Sequence, residues 1–289
     1  FHFSDGPRGV VVGEATAFPV SMARGATFDP ELETRVGDAI GKELRTIGAD
    51  LYGGICVNLL RHPAWGRAQE TYGEDPHHVG EMGAGLTRGA QRHVMATLKH
   101  FALNSMENAR FGVDVTVDER ALHEVYLPHF KRIVDEGVAC VMTAYNSVNG
   151  HWCSQSEELL AEILRSEWGF TGFVISDWIF GVRDGVKSLQ AGLDVEMPYR
   201  MIRNAPIVAA LAEGLIIEEL VASAVTRTIA TMLKFNVGKL PVHDRSVVLC
   251  KEHLMLSQEV AEKSMVLLKN ESDSGTALLP LELKSGSKI

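Results

Sequence analysis

Short apolar runs recur along this chain, and they limit its fold more than any other feature. Tyr52–Leu59, Val94–Leu98, Cys140–Ala144 and Phe173–Ser176 are apolar on successive rather than alternate residues, and longer segments of helical periodicity separate them. Runs of that kind read as strands buried on both faces, which belong to parallel sheets covered by helices. Two helix starts are marked by the same dipeptide, Asp29-Pro30 and Asp75-Pro76. In each, the carboxylate caps the first turn and proline takes a position where no N–H is needed.

Ala15–Val20, Leu193–Met197 and the poorly marked Gly9–Val12 are further candidate strands. Helices are expected from Pro30 to about Ile47, Pro76 to about His93, and Val117 to about Glu136 with a break at Pro128. Others are expected from Ser156 to about Trp168, over Gly181–Gln190, and at about Ile202–Glu213 and Ile217–Phe235. Six or seven strands, each followed by helix or loop, come close to the eight of a (β/α)8 barrel. An open doubly wound sheet is the rival, but no G-x-G-x-x-G follows an early strand. The reading is therefore α/β, with a barrel over residues 1–238 and a polar linker plus helix over 239–262. Residues 263–289 read as the incomplete start of a second domain, with SMVLLKN (264–270) as a strand. The chain opens on FHFSDGPRGV, without Met and inside what reads as a strand-to-loop transition, so residue 1 is not read as the biological start. A cytoplasmic location is favoured, with a secreted or periplasmic one left open.

The formal net charge is −9 and no Lys/Arg tract occurs, which argues against nucleic acid or an anionic membrane surface as partner. No apolar stretch approaches the ~20 residues of a membrane span. Cys56, Cys140, Cys153 and Cys250 are widely spaced without a C-x-x-C pair, and the first two sit in strand-like runs, so buried free thiols are expected. Neither H-E-x-x-H nor a carboxylate cluster with ligand spacing is present, so a metal site is the weaker reading and none is expected. Homo-oligomerisation is left open.

Polar residues gather where the runs stop. Arg61 follows CVNLL, Lys99-His100 follows VMATL, Tyr145-Asn146 follows CVMTA, Asp177-Trp178 follows FVIS, and Glu196 lies in LDVEM. In a parallel barrel these ends share one mouth. Asp177 can there be a nucleophile, a metal ligand or a helix cap. A pocket of Arg, Lys, His, Asn, Tyr, Trp and a carboxylate suits a polyhydroxylated small molecule, and carbohydrate is the first substrate class it names. Asp194 and Glu196 either shape that pocket or are structural. Met142 and Trp152 are each open between core and subsite, and Met142 is kept among the candidate binding residues. Arg67, Glu70, Glu74 and Asp75 are read as structural, Asp75 as a cap and Arg67 as an ion-pair partner.

RHPAWGRAQETYGEDP (61–76), KHFALNSMENAR (99–110), MTAYNSVNG (142–150), LRSEWGFTGFVISDW (164–178) and AGLDVEMP (191–198) together resemble the consecutive motifs of glycoside hydrolase family 3, particularly its β-glucosidases. The resemblance covers roughly residues 4–281. SMVLLKN with LLPL resembles the start of that family's second, α/β-sandwich domain. The resemblance implies a retaining, exo-acting β-glycosidase without cofactor, acting on terminal β-glucosyl residues. β-Xylosidase or mixed specificity, a non-catalytic sugar-binding relative and a Schiff-base enzyme using Lys99 are the alternatives. By the same resemblance Asp177 matches the nucleophile. Arg61, Lys99 and His100 match residues that bind the sugar, and Asp5 matches the acid that holds its outer hydroxyls. Tyr145 matches a residue beside the nucleophile, and Trp178 the platform next to it. The general acid/base is expected from a Glu of the second domain. KHFALNSMEN lacks the Pro-Gly-His of the single-domain members, and Glu271 falls too early after SMVLLKN for that role.

Overall fold

The computed structural model describes residues 1–272 and 275–281. Its strands are β1 (Phe3–Ser4), β2 (Leu51–Cys56), β3 (Met95–Phe101), β4 (Asp114–Val115), β5 (Cys140–Thr143), β6 (Ser147–Val148), β7 (His151–Trp152) and β8 (Phe173–Ile175). Five of them form one parallel sheet in the order β1-β2-β3-β5-β8, while β4, β6 and β7 make a small separate sheet in a loop. The helices are α1 (Ser21–Gly25), α2 (Pro30–Thr46), α3 (Pro76–Ala90), α4 (Glu119–Ala121), α5 (Pro128–Asp135), α6 (Gly185–Ala191), α7 (Asn204–Ala212), α8 (Glu218–Lys234) and α9 (Lys251–Lys263). Both Asp-Pro starts are as the chemistry requires. Asp29 accepts the Leu32 N–H at 2.9 Å and Asp75 the His78 N–H at 2.7 Å.

The sheet is rolled. Four strand spacings would hold β1 and β8 about 19 Å apart in a flat sheet. Yet the rings of Phe1 and Phe173 are 5.6 Å apart, and those of Phe3 and Trp178 are 4.4 Å apart. Leu51, Met95, Cys140, Met142, Phe173 and Ile175 fill the inside of this trough, with Phe3 and Val195 packed against them. A larger core on the outside holds α2, α3 and α5 against the strands through Val36, Ile40, Val79, Met82, Leu86 and Ile133. The architecture is thus α/β and barrel-like. Among the described residues the hydrogen-bonded ladder does not close, so the expected eight-stranded ring is seen as five strands and one bridge. That bridge joins Ile175 to Val195.

Several predicted elements are different in the structure. Ala15–Val20 is irregular, although Phe18 is buried. Its polar groups are taken elsewhere, Thr16 N–H and Oγ1 by the Glu43 carboxylate and Phe18 N–H by the Arg8 carbonyl. Gly9–Val12 is loop. Leu193–Met197 makes only the bridge, because the Asp194 side chain, at 2.7 Å, takes the Val174 N–H that a longer strand would pair. The helix expected over Val117–Glu136 is α4, a π-helical stretch Leu122–Tyr126 and α5. Helix α6 starts four residues later than predicted, at its Asp184 cap. Beyond α9, Ser264–Asn270 shows no strand, and Met265, Val266, Leu267 and Leu268 are exposed. A strand needs a neighbour for its backbone groups, and the described residues give this one none. The second-domain expectation otherwise falls partly on 273–274 and 282–289, outside the described residues.

One buried group stands apart from the sheet. His129 in α5 is 1% exposed and neither ring nitrogen has a partner. Burial pushes it down to about 3.

Candidate active site

The carboxyl ends of β1, β3, β5 and β8, with the loop that carries Gly66, Arg67 and Glu70, border an open cleft of ≈ 710 Å³, within the range of small-molecule sites. The run of β1 delivers Ser4 and Asp5, β3 carries Lys99 and His100, and Tyr145 and Asp177 each follow their strand by two residues. Asp177, Asp5, Lys99, His100, Met142, Tyr145 and Trp178, all named from the sequence, meet here. Met142 answers its open question both ways, since it lines the cleft and belongs to the trough interior.

Asp177 is 7% exposed. Its Oδ1 accepts the Trp178 N–H at 2.7 Å, whereas Oδ2 is buried and has no hydrogen-bond partner. Burial pushes the carboxyl up, while the Trp178 N–H, Lys99 and Arg67 pull it back toward the charged form. The turn that follows is tight. A Cβ on Gly181 would lie 2.4 Å from the Asp177 carbonyl oxygen, so only glycine fits there. Ile179 in the same turn has φ 59°, a conformation costly for a β-branched residue.

His100 is 1% exposed and is held from three sides. Asn58 Oδ1 accepts both the His100 peptide N–H and Nδ1–H at 3.0 Å, and Asn58 Nδ2 donates to the His100 carbonyl at 2.9 Å. Nε2 faces Arg67 Nη1 at 2.9 Å, and a guanidinium only donates, so Nε2 carries the lone pair. Burial first, then Arg67, Lys99 and Arg110, hold His100 well below the usual histidine range. The Nε2–Asp177 separation of 3.7 Å is therefore not an ion pair, because the ring is neutral.

The remaining cations have partners of their own. Lys99 Nζ meets Asp5 Oδ1 at 2.6 Å, Arg67 meets Glu70 at 2.6 Å, and Arg110 meets Glu107 at 3.1 Å. Asp5 is placed by a loop in which Gly6 has φ 131°, and its Oδ1 also accepts the Gly6 N–H at 2.8 Å. The Tyr145 hydroxyl donates to the Trp178 carbonyl at 2.8 Å, and burial and the Asp177 charge push it up.

Arg61 does not reach the cleft. It is exposed, with its guanidinium 5.7 Å from the centre of the Tyr126 ring. Arg67, six residues on and read from sequence as structural, keeps its Glu70 pair but lines the cleft in place of Arg61. Asn58, Glu70, Glu107 and Arg110 were likewise not singled out as site residues. Asn58 lay in the quoted CVNLL run at a strand end, the one signal available for it. Asp194 is fully buried between Arg165 and Arg227, and Glu196 accepts the N–H groups of Met201, Ile202 and Arg203. Both are structural. Trp152 lies under Arg183 at 4.6 Å, outside the cleft lining. Among the described residues no group of three or more His, Cys, Asp or Glu is arranged to hold a metal, and no helix is long and apolar enough to cross a membrane.

The model of the glycosyl hydrolase family 3 N-terminal domain matches residues 4–231. The chain is 40% identical over 278 residues to thermostable beta-glucosidase B of Acetivibrio thermocellus, covering 94% of this chain and 35% of that protein. It is 36% identical over 299 residues to beta-glucosidase B of Emericella nidulans, covering 99% and 35%. Among solved structures, beta-glucosidase 3B of Thermotoga neapolitana in complex with glucose superposes with a TM-score of 0.86 at 36% identity, covering 93% of this chain and 40% of that one. A beta-glucosidase of Bifidobacterium adolescentis gives 0.87 at 34%, covering 94% and 40%. The chain thus spans about a third of the length of the curated relatives it matches.

Proposed function

Because the chain belongs to glycosyl hydrolase family 3 through its N-terminal domain, we propose that it supplies the nucleophile and sugar-binding cleft of a retaining, exo-acting β-glucosidase. The observation that carries this reading is Asp177 Oδ2, a buried carboxylate oxygen without a partner at the floor of a cleft otherwise filled with paired charges. One oxygen is fixed by the Trp178 N–H and the other is free to attack an anomeric carbon, forming the glycosyl ester as the leaving oxygen departs. Burial keeps that oxygen nucleophilic, and Lys99 and Arg67 keep it ionised.

Asp5 and Lys99 form an acceptor–donor pair for adjacent sugar hydroxyls, and Arg67 with neutral His100 offers a second. Trp178, stacked on Phe3, gives a sugar face an apolar surface. Tyr145, donating to the Trp178 carbonyl, positions the nucleophile's own backbone neighbour. Asp5, Glu70 and Glu107 each already face a cation. The reading therefore takes the leaving-group proton from a glutamate of the family's second domain. Lys99 held by Asp5 at 2.6 Å fits a binding cation better than a Schiff-base nucleophile.

The test is mass spectrometry of the full-length protein after incubation with an activated 2-deoxy-2-fluoro-glucoside, which forms the glycosyl-enzyme readily and releases it slowly. One added sugar on the peptide containing Asp177 is expected. In Asp177→Asn the adduct is absent and kcat falls on the order of 10⁴-fold or more. An adduct on another peptide, or near-normal turnover by Asp177→Asn, overturns the assignment. Binding without any adduct would favour a sugar-binding relative.

A further inference from the structure

A chain of aromatic rings leaves the cleft beside Asp177. Tyr145 lines the cleft, Phe111 packs edge-on against it at 4.7 Å, and Phe180 packs edge-on against Phe111 at 5.4 Å. Going outward, burial falls away. Tyr145 is 6% exposed, Phe111 45% and Phe180 53%, with Ile179 beside it at 40%. Large apolar side chains standing together at a surface next to a polar pocket mark a contact surface.

The shelf is also held rigid. Arg110 lies 4.8 Å from the centre of the Phe111 ring and 4.7 Å from that of Tyr145, and Arg183 donates to the Phe111 carbonyl at 2.6 Å. Phe180 stands in the turn after Trp178, where Ile179 keeps its unfavourable φ of 59° and Gly181 is wedged against the Asp177 backbone. Ile179 N–H is tied to the Met197 carbonyl at 3.0 Å. Backbone strain of this kind persists where the surroundings over-determine it, and it gathers at ligand clamps.

We infer that Phe111 and Phe180 form the surface on which the aglycone rests, and that the site therefore favours flat, aryl leaving groups over short alkyl ones. The inference rests on the β-glucosidase reading above, because it places the sugar against Asp177 and Trp178 and the departing group next to Tyr145. An aryl group there meets ring edges and faces already set at stacking distance, with little ordering left to do. Neither phenylalanine borders the sugar pocket itself.

The experiment needs no turnover. Dissociation constants for phenyl and methyl 1-thio-β-D-glucopyranoside, both resistant to hydrolysis, are measured by calorimetry on the full-length protein, Phe180→Ala, Phe111→Ala and Phe180→Tyr. The phenyl-over-methyl preference of the parent is expected to shrink by about threefold to tenfold in each alanine variant and to survive in Phe180→Tyr. Both sites are largely exposed, and circular dichroism of each variant checks that the fold is kept. Unchanged preference in both alanine variants overturns the shelf while leaving the glucosidase reading intact. So does a parent that binds both thioglycosides equally, as it would if another part of the protein covered the rings. If the parent binds neither compound, the sugar site and the shelf fall together.

Discussion

Replacing His129 by leucine should stabilise the protein, and by more as the pH falls. The ring is buried in α5, neither nitrogen has a partner, and burial holds it at about 3, against an ordinary value near 6.5 in an unfolded chain. The sign follows from which state takes the proton. Below about pH 6.5 the unfolded chain binds a proton that the folded chain refuses, so stability is lost as pH drops from 6.5 toward 3 and is intact above. Between pH 7 and pH 5 the difference in proton binding amounts to about 30-fold, or about 2 kcal/mol. Leucine has nearly the same volume and no nitrogens, so it removes that dependence. It also relieves a pH-independent cost of about 1–3 kcal/mol for unpaired buried polar atoms. Loss of the tilted contact with the Phe130 ring, 4.5 Å away, offsets part of this. Urea unfolding of parent and variant at pH 7 and pH 5 isolates the term, because carboxylates such as Asp38 titrate in both proteins and cancel. The stability gap should widen by about 2 kcal/mol at the lower pH. A gap that stays constant would falsify the argument, since it would mean the ring is paired or hydrated in the folded state.

Two further outcomes follow from the cleft. On the β-glucosidase reading proposed above, Lys99→Met removes a cation that helps hold Asp177 ionised, so the acidic limb of kcat/KM should move to higher pH, because the reaction needs the carboxylate and is lost as pH falls through its folded value. A limb that stays put or moves down refutes this role for Lys99. In Asn58→Ala the His100 backbone and ring lose the clamp they share. A stability loss of about 1–3 kcal/mol in denaturant titration, together with a raised KM for the glucoside, is expected. An unchanged KM would show that His100 keeps its place without Asn58.

How much of this was readable in advance depends on how local each cause is. The Asp29-Pro30 and Asp75-Pro76 starts were legible because a cap acts on an N–H three residues away. Asp177 was legible because the residues just after a parallel strand come out at the mouth whatever the rest of the chain does. Arg61 and Arg67 are six residues apart in one irregular stretch, and which of them turns inward is decided by His100 and Glu70, not by the neighbours of either arginine. Ala15–Val20 has a strand's composition, but Glu43, distant in sequence, takes the polar groups of Thr16, and the Arg8 carbonyl takes the Phe18 N–H. Apolar character alone did not make a strand of Ser264–Asn270 either, because pairing is a property of two segments.

The pairing of charges in the cleft bears on how a ligand arrives. Lys99, Arg67 and Arg110 are each matched by a carboxylate at contact distance, which leaves Asp177 as the one cleft carboxylate without a cation of its own. The far field of such a site is weak, since opposite charges a few ångströms apart cancel beyond a Debye length. A neutral ligand, such as the sugar proposed above, is then neither steered in nor held off, and its encounter rate is nearly independent of ionic strength. What field remains is short-ranged and negative, and it is felt only by positive charge that develops within reach of Asp177.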